Sequence, residues 1–263
     1  MDILEEIVAR KRIEVAEQKE QVPARQLHAE VEQMMAAGIR KHSLSQSLAS
    51  DPYGIIAEFK RKSPSKGWIK EEGRPEVIPP AYEAAGAAAL SILTDTPYFG
   101  GSMDFVRTAR PLVGLPILRK DFIVDEYQLF QARQIGADAV LLIAADLTRQ
   151  EVKQLTATAH ELQLEVLLEL HAEHELDYAD TDVDAIGVNN RNLGTFVTDV
   201  QNSFRLSAKL PQDKVLVSES GISNPETIKL LRQAGYRGFL IGETFMKTEN
   251  PGEALRQFIE ALR

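Results

Sequence analysis

The chain has 263 residues, 44% of them apolar and 26% charged, with no cysteine and a formal net charge of −9. A chain of this size buries about three quarters of its unfolded surface, so its fold requires no staple, and the missing cysteine excludes a disulfide framework, a thiol nucleophile and a thiolate metal site. The acidity argues against nucleic acid as a partner of the whole surface, yet leaves room for a local basic pocket that takes a small anion.

The opening stretch, MDILEEIVARKRIEV, is charged and amphipathic rather than signal-like, and the longest apolar runs fall short of the about 18 residues of a membrane span. The expected partners therefore exclude membranes, and the expected location is the cytoplasm. Over residues 2–20, Ile3, Leu4, Ile7 and Val8 share one helical stripe, and Pro23 opens a second helical stretch to about Ala37. These read as an N-terminal helical extension covering 1–45.

From residue 54 the rhythm changes. GIIAEF, ALSIL, PILR, AVLLI, EVLLEL, AIGVN, VLVSE and GFLIG are short apolar runs, eight in all, with helical patterns between them at 126–137, 149–163 and 225–236. Asn224 and Pro225 supply the cap and first position of the last of these. Pro79 and Pro80 blur the start of the first helix of the repeat. Seven repeats separate Glu58 from Gly242 at about 26 residues each, one strand plus one helix with short loops. Continuous apolar strands require burial on both faces, and eight βα units close most naturally into a (β/α)8 TIM barrel over 54–263. An open doubly wound sheet is the alternative. Gly86, Gly136 and Gly235, each shortly before a strand, fit helix ends of the same repeat. The whole chain reads as a single barrel domain.

In such a barrel, function belongs to the C-terminal ends of the strands, and every polar interruption of an apolar run is expected there. Glu58 and Lys60, two apart at the end of the first strand, share its inward face. The third strand delivers Lys120, the fifth Glu169, the sixth Asn189 with Arg191 two beyond, and the seventh Glu219 with Ser220. Buried charge is costly unless paired or used. These groups are either a salt-bridged plug or catalytic machinery, and repeated charge on the one functional face favours catalysis. SESGI and LIGET, after the seventh and eighth strands, place Gly221 and Gly242 where backbone N–H groups can approach a phosphate. Glu243 fits there only if its carboxylate turns aside. His171 and His174 read as members of a solvated helix rather than a metal site. Trp68, in the long first loop, is either a lid anchor or an exposed indole.

AEFKRKSPSKG, LTD followed by YFGGS, LRKDFIVDEYQ, GADAVLLIA, LLELH, IGVNNRNL and SESGI, in this order, resemble the indole-3-glycerol-phosphate synthases of tryptophan biosynthesis from about residue 2 to the C-terminus. The resemblance implies a lyase that closes the ring of 1-(2-carboxyphenylamino)-1-deoxyribulose 5-phosphate, releasing indole-3-glycerol phosphate, carbon dioxide and water without metal or organic cofactor. By motif, Lys120 matches the family's general acid and Glu169 its general base. Glu58, Lys60, Asn189, Glu219 and Ser220 match its other active-site residues, with Lys60 either binding a substrate anion or acting as acid in the dehydration. Ser63 and Arg191 match positions that hold substrate or neighbouring carboxylates, and Phe99, Phe122 and Leu141 match those that clasp the anthranilate ring. Lys60, Ser220, Gly221, Gly242 and the Glu243 backbone would take the phosphate. The implied partner is the phosphorylated small-molecule substrate, with other tryptophan-pathway enzymes as further candidates. A sister barrel, phosphoribosylanthranilate isomerase, uses a cysteine and aspartate pair that this chain cannot supply. A catalytically silent phosphate-binding barrel, or a scaffold for a partner enzyme, would have lost the Lys and Glu endings.

Overall fold

The computed structural model describes residues 3–38, 42–192 and 197–263. Residues 1, 2 and 39–41 of the expected extension, and Leu193 at the end of the IGVNNRNL motif, lie outside the described residues. Eight parallel strands close into a barrel: β1 (Ile55–Phe59), β2 (Ala89–Leu93), β3 (Ile117–Lys120), β4 (Ala139–Ile143), β5 (Glu165–Leu170), β6 (Ala185–Asn189), β7 (Val215–Glu219) and β8 (Gly238–Ile241). Each pairs with the next in chain order, and β8 returns to β1 with Phe239 opposite Ile55. Closure rules out the doubly wound alternative. All eight expected runs form strands, and the repeat glycines Gly86, Gly136 and Gly235 end their helices or lead into the next strand with φ of 100°, 89° and 104°. Pro79 and Pro80 stand in the first turn of the helix Ile78–Ala85, where a missing N–H costs nothing. Asn224 caps Pro225–Gln233 by accepting the Glu226 N–H.

Strand alternation divides the core in two. Ile55, Ala57 and Phe59 pack outward beneath the helices, whereas Ile56 points inward with Leu118, Leu141, Leu167, Val217 and Leu240. The same rule turns Glu58 into the barrel. The bottom of the inner core is closed by Leu44 and Leu48, which follow the two long helices of the extension, α1 (Ile3–Gln21) and α2 (Ala24–Ala36), on a third, α3 (Leu44–Ser50).

Glu165, the first residue of β5, corrects the expectation that strand polarity is confined to the C-terminal face. It lies at the opposite end, 8% exposed, and accepts from Ser43 Oγ at 2.5 Å and the Ser45 N–H at 2.7 Å. The first N–H groups of α3 have no partner within the helix, and this carboxylate supplies one.

α1 buries Leu4, Ile7, Lys11 and Val15, while Ile3 and Val8 of the expected stripe are half-buried. Lys11 carries a charge into that face. Its ammonium, 2% exposed, lies 2.9 Å from Glu14, 2.9 Å from Asp95 and 3.0 Å from Asp121. Burial pulls its pKa down, but Asp121, Asp95 and Glu14 outweigh burial and raise it, so it stays an ammonium.

Candidate active site

A cavity of about 630 Å³ opens at the C-terminal mouth of the barrel. Its polar floor is built from strand ends. Lys60, one residue past β1, places its ammonium 2.6 Å from Glu58 Oε1. Gly242 follows β8, and a Cβ there would lie 2.4 Å from that same oxygen, so the absent side chain gives Glu58 its space.

Lys120, the last residue of β3, donates to Glu169 Oε2 at 2.8 Å and to Glu219 Oε2 at 2.9 Å. Three distant strands thus meet at one ammonium. Burial alone would lower the Lys120 pKa, but Glu169, Glu219 and Glu58 outweigh it and raise it. The two carboxylates diverge, as like charges sharing one site must. Burial pushes Glu169 upward, yet Lys120 and His171 hold it well below the usual carboxylate range. Burial, aided by the Glu169 charge and opposed by Lys120, pushes Glu219 up to about 7. The free oxygen of Glu219, Oε1, is buried without a hydrogen-bond partner and faces Gly187, where a Cβ would come within 2.1 Å of it.

The rim above carries cations and turned backbone. Ser220 and Gly221 both have positive φ, 67° and 76°. The conformation is costly for serine, and buried Asn190 holds it by donating to the Ser220 carbonyl at 3.1 Å. Asn190 is itself fixed by Ser203, whose N–H and hydroxyl it accepts at 3.1 and 2.8 Å. Asn189 accepts the Arg191 N–H at 3.0 Å, and the Arg191 guanidinium donates to Ser65 Oγ at 3.1 Å. The Glu243 carboxylate stands 3.9 Å from both Lys66 and Arg191. It faces these cations while still lining the cavity beside them. Phe99 and Phe122 have centroids 6.0 Å apart, tilted by 39°, and Leu141 lies beneath them inside the barrel. Ile3, Leu4 and Ile7 of α1 also line the cavity.

Fourteen of the fifteen candidate residues therefore line one cavity. Ser63 does not: it is 2% exposed in a two-stranded hairpin with Gly67, its hydroxyl has no hydrogen-bond partner, and Pro64, Ser65 and Lys66 line the cavity instead. The solvated-helix reading of the histidines holds for His174 but is corrected for His171, whose ring is buried 3.1 Å from Glu169. It sits two residues beyond Glu169, and strand alternation turns both inward. Trp68 is 48% exposed, stacks near Arg61 and Lys62, and abuts Gly100, so it braces two loops from outside the cavity. Asn190 and Gly187 went unnoticed in the sequence, as did the closeness of His171 to Glu169. Only the glycine carried a signal there, as a break in an apolar strand that marks close approach. Among the described residues, no group of three or more His, Cys, Asp or Glu side chains could hold a metal ion.

The family model described as indole-3-glycerol phosphate synthase matches residues 4–258. The indole-3-glycerol phosphate synthase of Bacteroides thetaiotaomicron is 62% identical over 262 residues, covering 100% of this chain and 99% of the relative. That of a Polaromonas species is 42% identical over 257 residues, covering 97% of each. Among solved structures, the tryptophan synthase alpha subunit of Legionella pneumophila superposes with a TM-score of 0.61 over 85% of this chain and 99% of that one, at 13% identity, a likeness of fold alone. With matches spanning its whole length, the chain belongs to the indole-3-glycerol phosphate synthase family.

Proposed function

We propose that the cavity performs this family's ring closure with Lys120 as general acid and Glu169 as general base. The reaction is that of a carboxy-lyase: 1-(2-carboxyphenylamino)-1-deoxyribulose 5-phosphate gives indole-3-glycerol phosphate, carbon dioxide and water. The observation that carries the residue assignment is the Lys120 ammonium suspended between Glu169 and Glu219.

The aromatic carbon that bears the carboxylate attacks the ketone carbonyl, and the displaced electron pair collects on oxygen. An ammonium in a dry pocket stabilises that charge and protonates it. The carboxylate then departs as carbon dioxide, leaving its bonding electrons to restore the aromatic ring. Dehydration follows: Glu169, held ionised, takes a proton while an acid assists the departing hydroxide. Lys60, pinned at Glu58, serves the substrate's anionic groups at the mouth. Ser220, Gly221, Gly242 and the Glu243 backbone take the phosphate, Asn189 and Arg191 orient the sugar chain, and Phe99, Phe122 and Leu141 enclose the ring. Positioning is part of the catalysis, since the two reacting carbons belong to one flexible substrate. A cytoplasmic location, a single domain over the full chain and docking to other enzymes of tryptophan biosynthesis complete the reading.

Indole-3-glycerol phosphate formation, followed by fluorescence with purified protein, tests it. Lys120→Ala is expected to lower kcat by about 10²- to 10⁴-fold. An undiminished rate would remove Lys120 from the acid role, and a wild type without product would favour the silent phosphate-binding barrel.

A further inference from the structure

His171 is a buried titratable group that the mechanism above leaves unused. Its Nε2 lies 3.1 Å from Glu169 Oε1, the oxygen opposite the one that Lys120 holds. The contact is off the N–H axis, and neither ring nitrogen has a well-aligned hydrogen-bond partner. A buried imidazole left this way is unfavourable unless charge compensates it. The backbone nevertheless fixes it in place from two sides. The His171 N–H donates to the buried Glu175 carboxylate at 2.5 Å, and its carbonyl accepts from Asn202 Nδ2 at 2.9 Å.

The charges around the ring give a reason. Glu58, Glu169 and Glu219 face Lys60 and Lys120 at the cavity floor, one negative charge in excess when all are ionised. Around the imidazole itself stand Glu169 from β5, Glu219 from β7 and Glu175 from the helical turn Glu173–Asp180, with Lys120 of β3 beyond Glu169. We propose that His171 is a positioning residue that carries a proton in the resting enzyme and, as imidazolium, holds Glu169 ionised and oriented as the base. The inference rests on the assignment of Glu169 as base. Burial lowers the His171 pKa, but Glu169, Glu175 and Glu219 outweigh burial and raise it. Glu169 thereby has a cation on each oxygen. The site keeps its base charged while Glu219, on the same ammonium, takes up a proton more readily.

Two measurements test this, one independent of turnover. NMR titration of the imidazole should show His171 still protonated at about pH 7 in the wild type, and deprotonating at lower pH in Glu169→Gln. In the assay, His171→Gln should move the acidic limb of the kcat profile upward by about one pH unit. The rate ratio to wild type would then be about tenfold below the limb and near unity above it, with KM within about twofold. A ring already neutral at about pH 7, or an equal loss of kcat at every pH, would overturn the proposal, the latter being the mark of a merely structural side chain. If the wild type forms no indole-3-glycerol phosphate, the functional reading fails, and the titration still decides whether His171 holds the proton. If His171→Gln does not fold, the titration of the wild type and of Glu169→Gln decides alone.

Discussion

Lys120 shows how one side chain can tie a site together and set two partners apart. Its ammonium holds one oxygen of Glu169 and one of Glu219, and burial, aided by the Glu169 charge, pushes Glu219 up to about 7 from an ordinary 4.5. The sign of the consequence follows from proton binding. The folded chain binds the Glu219 proton more tightly than the unfolded chain, so stability is greatest below pH 4.5 for this group and declines as pH rises toward about 7. Glu219→Gln cannot ionise and should lack that decline, by about 3 kcal/mol at most. Urea unfolding of both proteins from about pH 5 to about pH 8 is the measurement; parallel loss of stability in the two would refute the upward shift of Glu219. Glu169 has the opposite sign. Its depressed pKa contributes stability above the ordinary carboxylate range that is lost as pH falls through its folded value.

At the scale of elements, the strand ends supply the charges and glycines on neighbouring strands supply the room. β6 places Gly187 beside the Glu219 carboxylate of β7, and the residue after β8, Gly242, lies against Glu58 of β1. Gly187→Ala would bring a methyl to 2.1 Å from Glu219 Oε1 unless the carboxylate swings off Lys120. Its expected effect is a loss of about tenfold or more in kcat with a native circular dichroism spectrum, since small misplacements of catalytic groups are costly. Unchanged kinetics would show that the carboxylate can move without consequence. The expected strand over AIGVN was legible from its apolar run. The purpose of its glycine was not, because Glu219 stands 32 residues further along the chain and becomes a neighbour only through parallel pairing.

At the scale of the whole molecule, the N-terminal extension and the barrel are joined through charge. Lys11 of α1 meets Asp95 after β2 and Asp121, the residue next to Lys120, while Ile3, Leu4 and Ile7 of the same helix line the cavity. Asp121 keeps Arg119 and Thr94 as partners, at 3.0 and 2.5 Å, but Lys11 is its link to α1. Lys11→Met keeps the bulk but leaves Asp95 without its cation and Asp121 with Arg119 alone, so it should cost about 3 kcal/mol in urea unfolding. With α1 loosened, KM should rise several-fold more than kcat falls, because the helix covers substrate without touching the reacting atoms. A stable variant with wild-type KM would separate the extension from the site.

The sequence by itself determined the barrel, its eight strands, the Asn224 cap and the ring of Glu58, Lys60, Lys120, Glu169, Asn189 and Glu219. These are properties of local pattern: apolar runs must be buried, a period of two fixes which face each residue takes, and charge that ends such a run has few inexpensive places to go. Tertiary structure alone decided the rest. That Glu165 caps a helix at the far end of the barrel, that Ser63 turns away from the cavity, that Lys11 locks α1 down and that His171 lies against Glu169 all depend on partners distant in sequence. Whether a buried polar group is bridged, left alone or poised for proton transfer is set by what else occupies the few ångströms around it, and only chain closure brings those neighbours together.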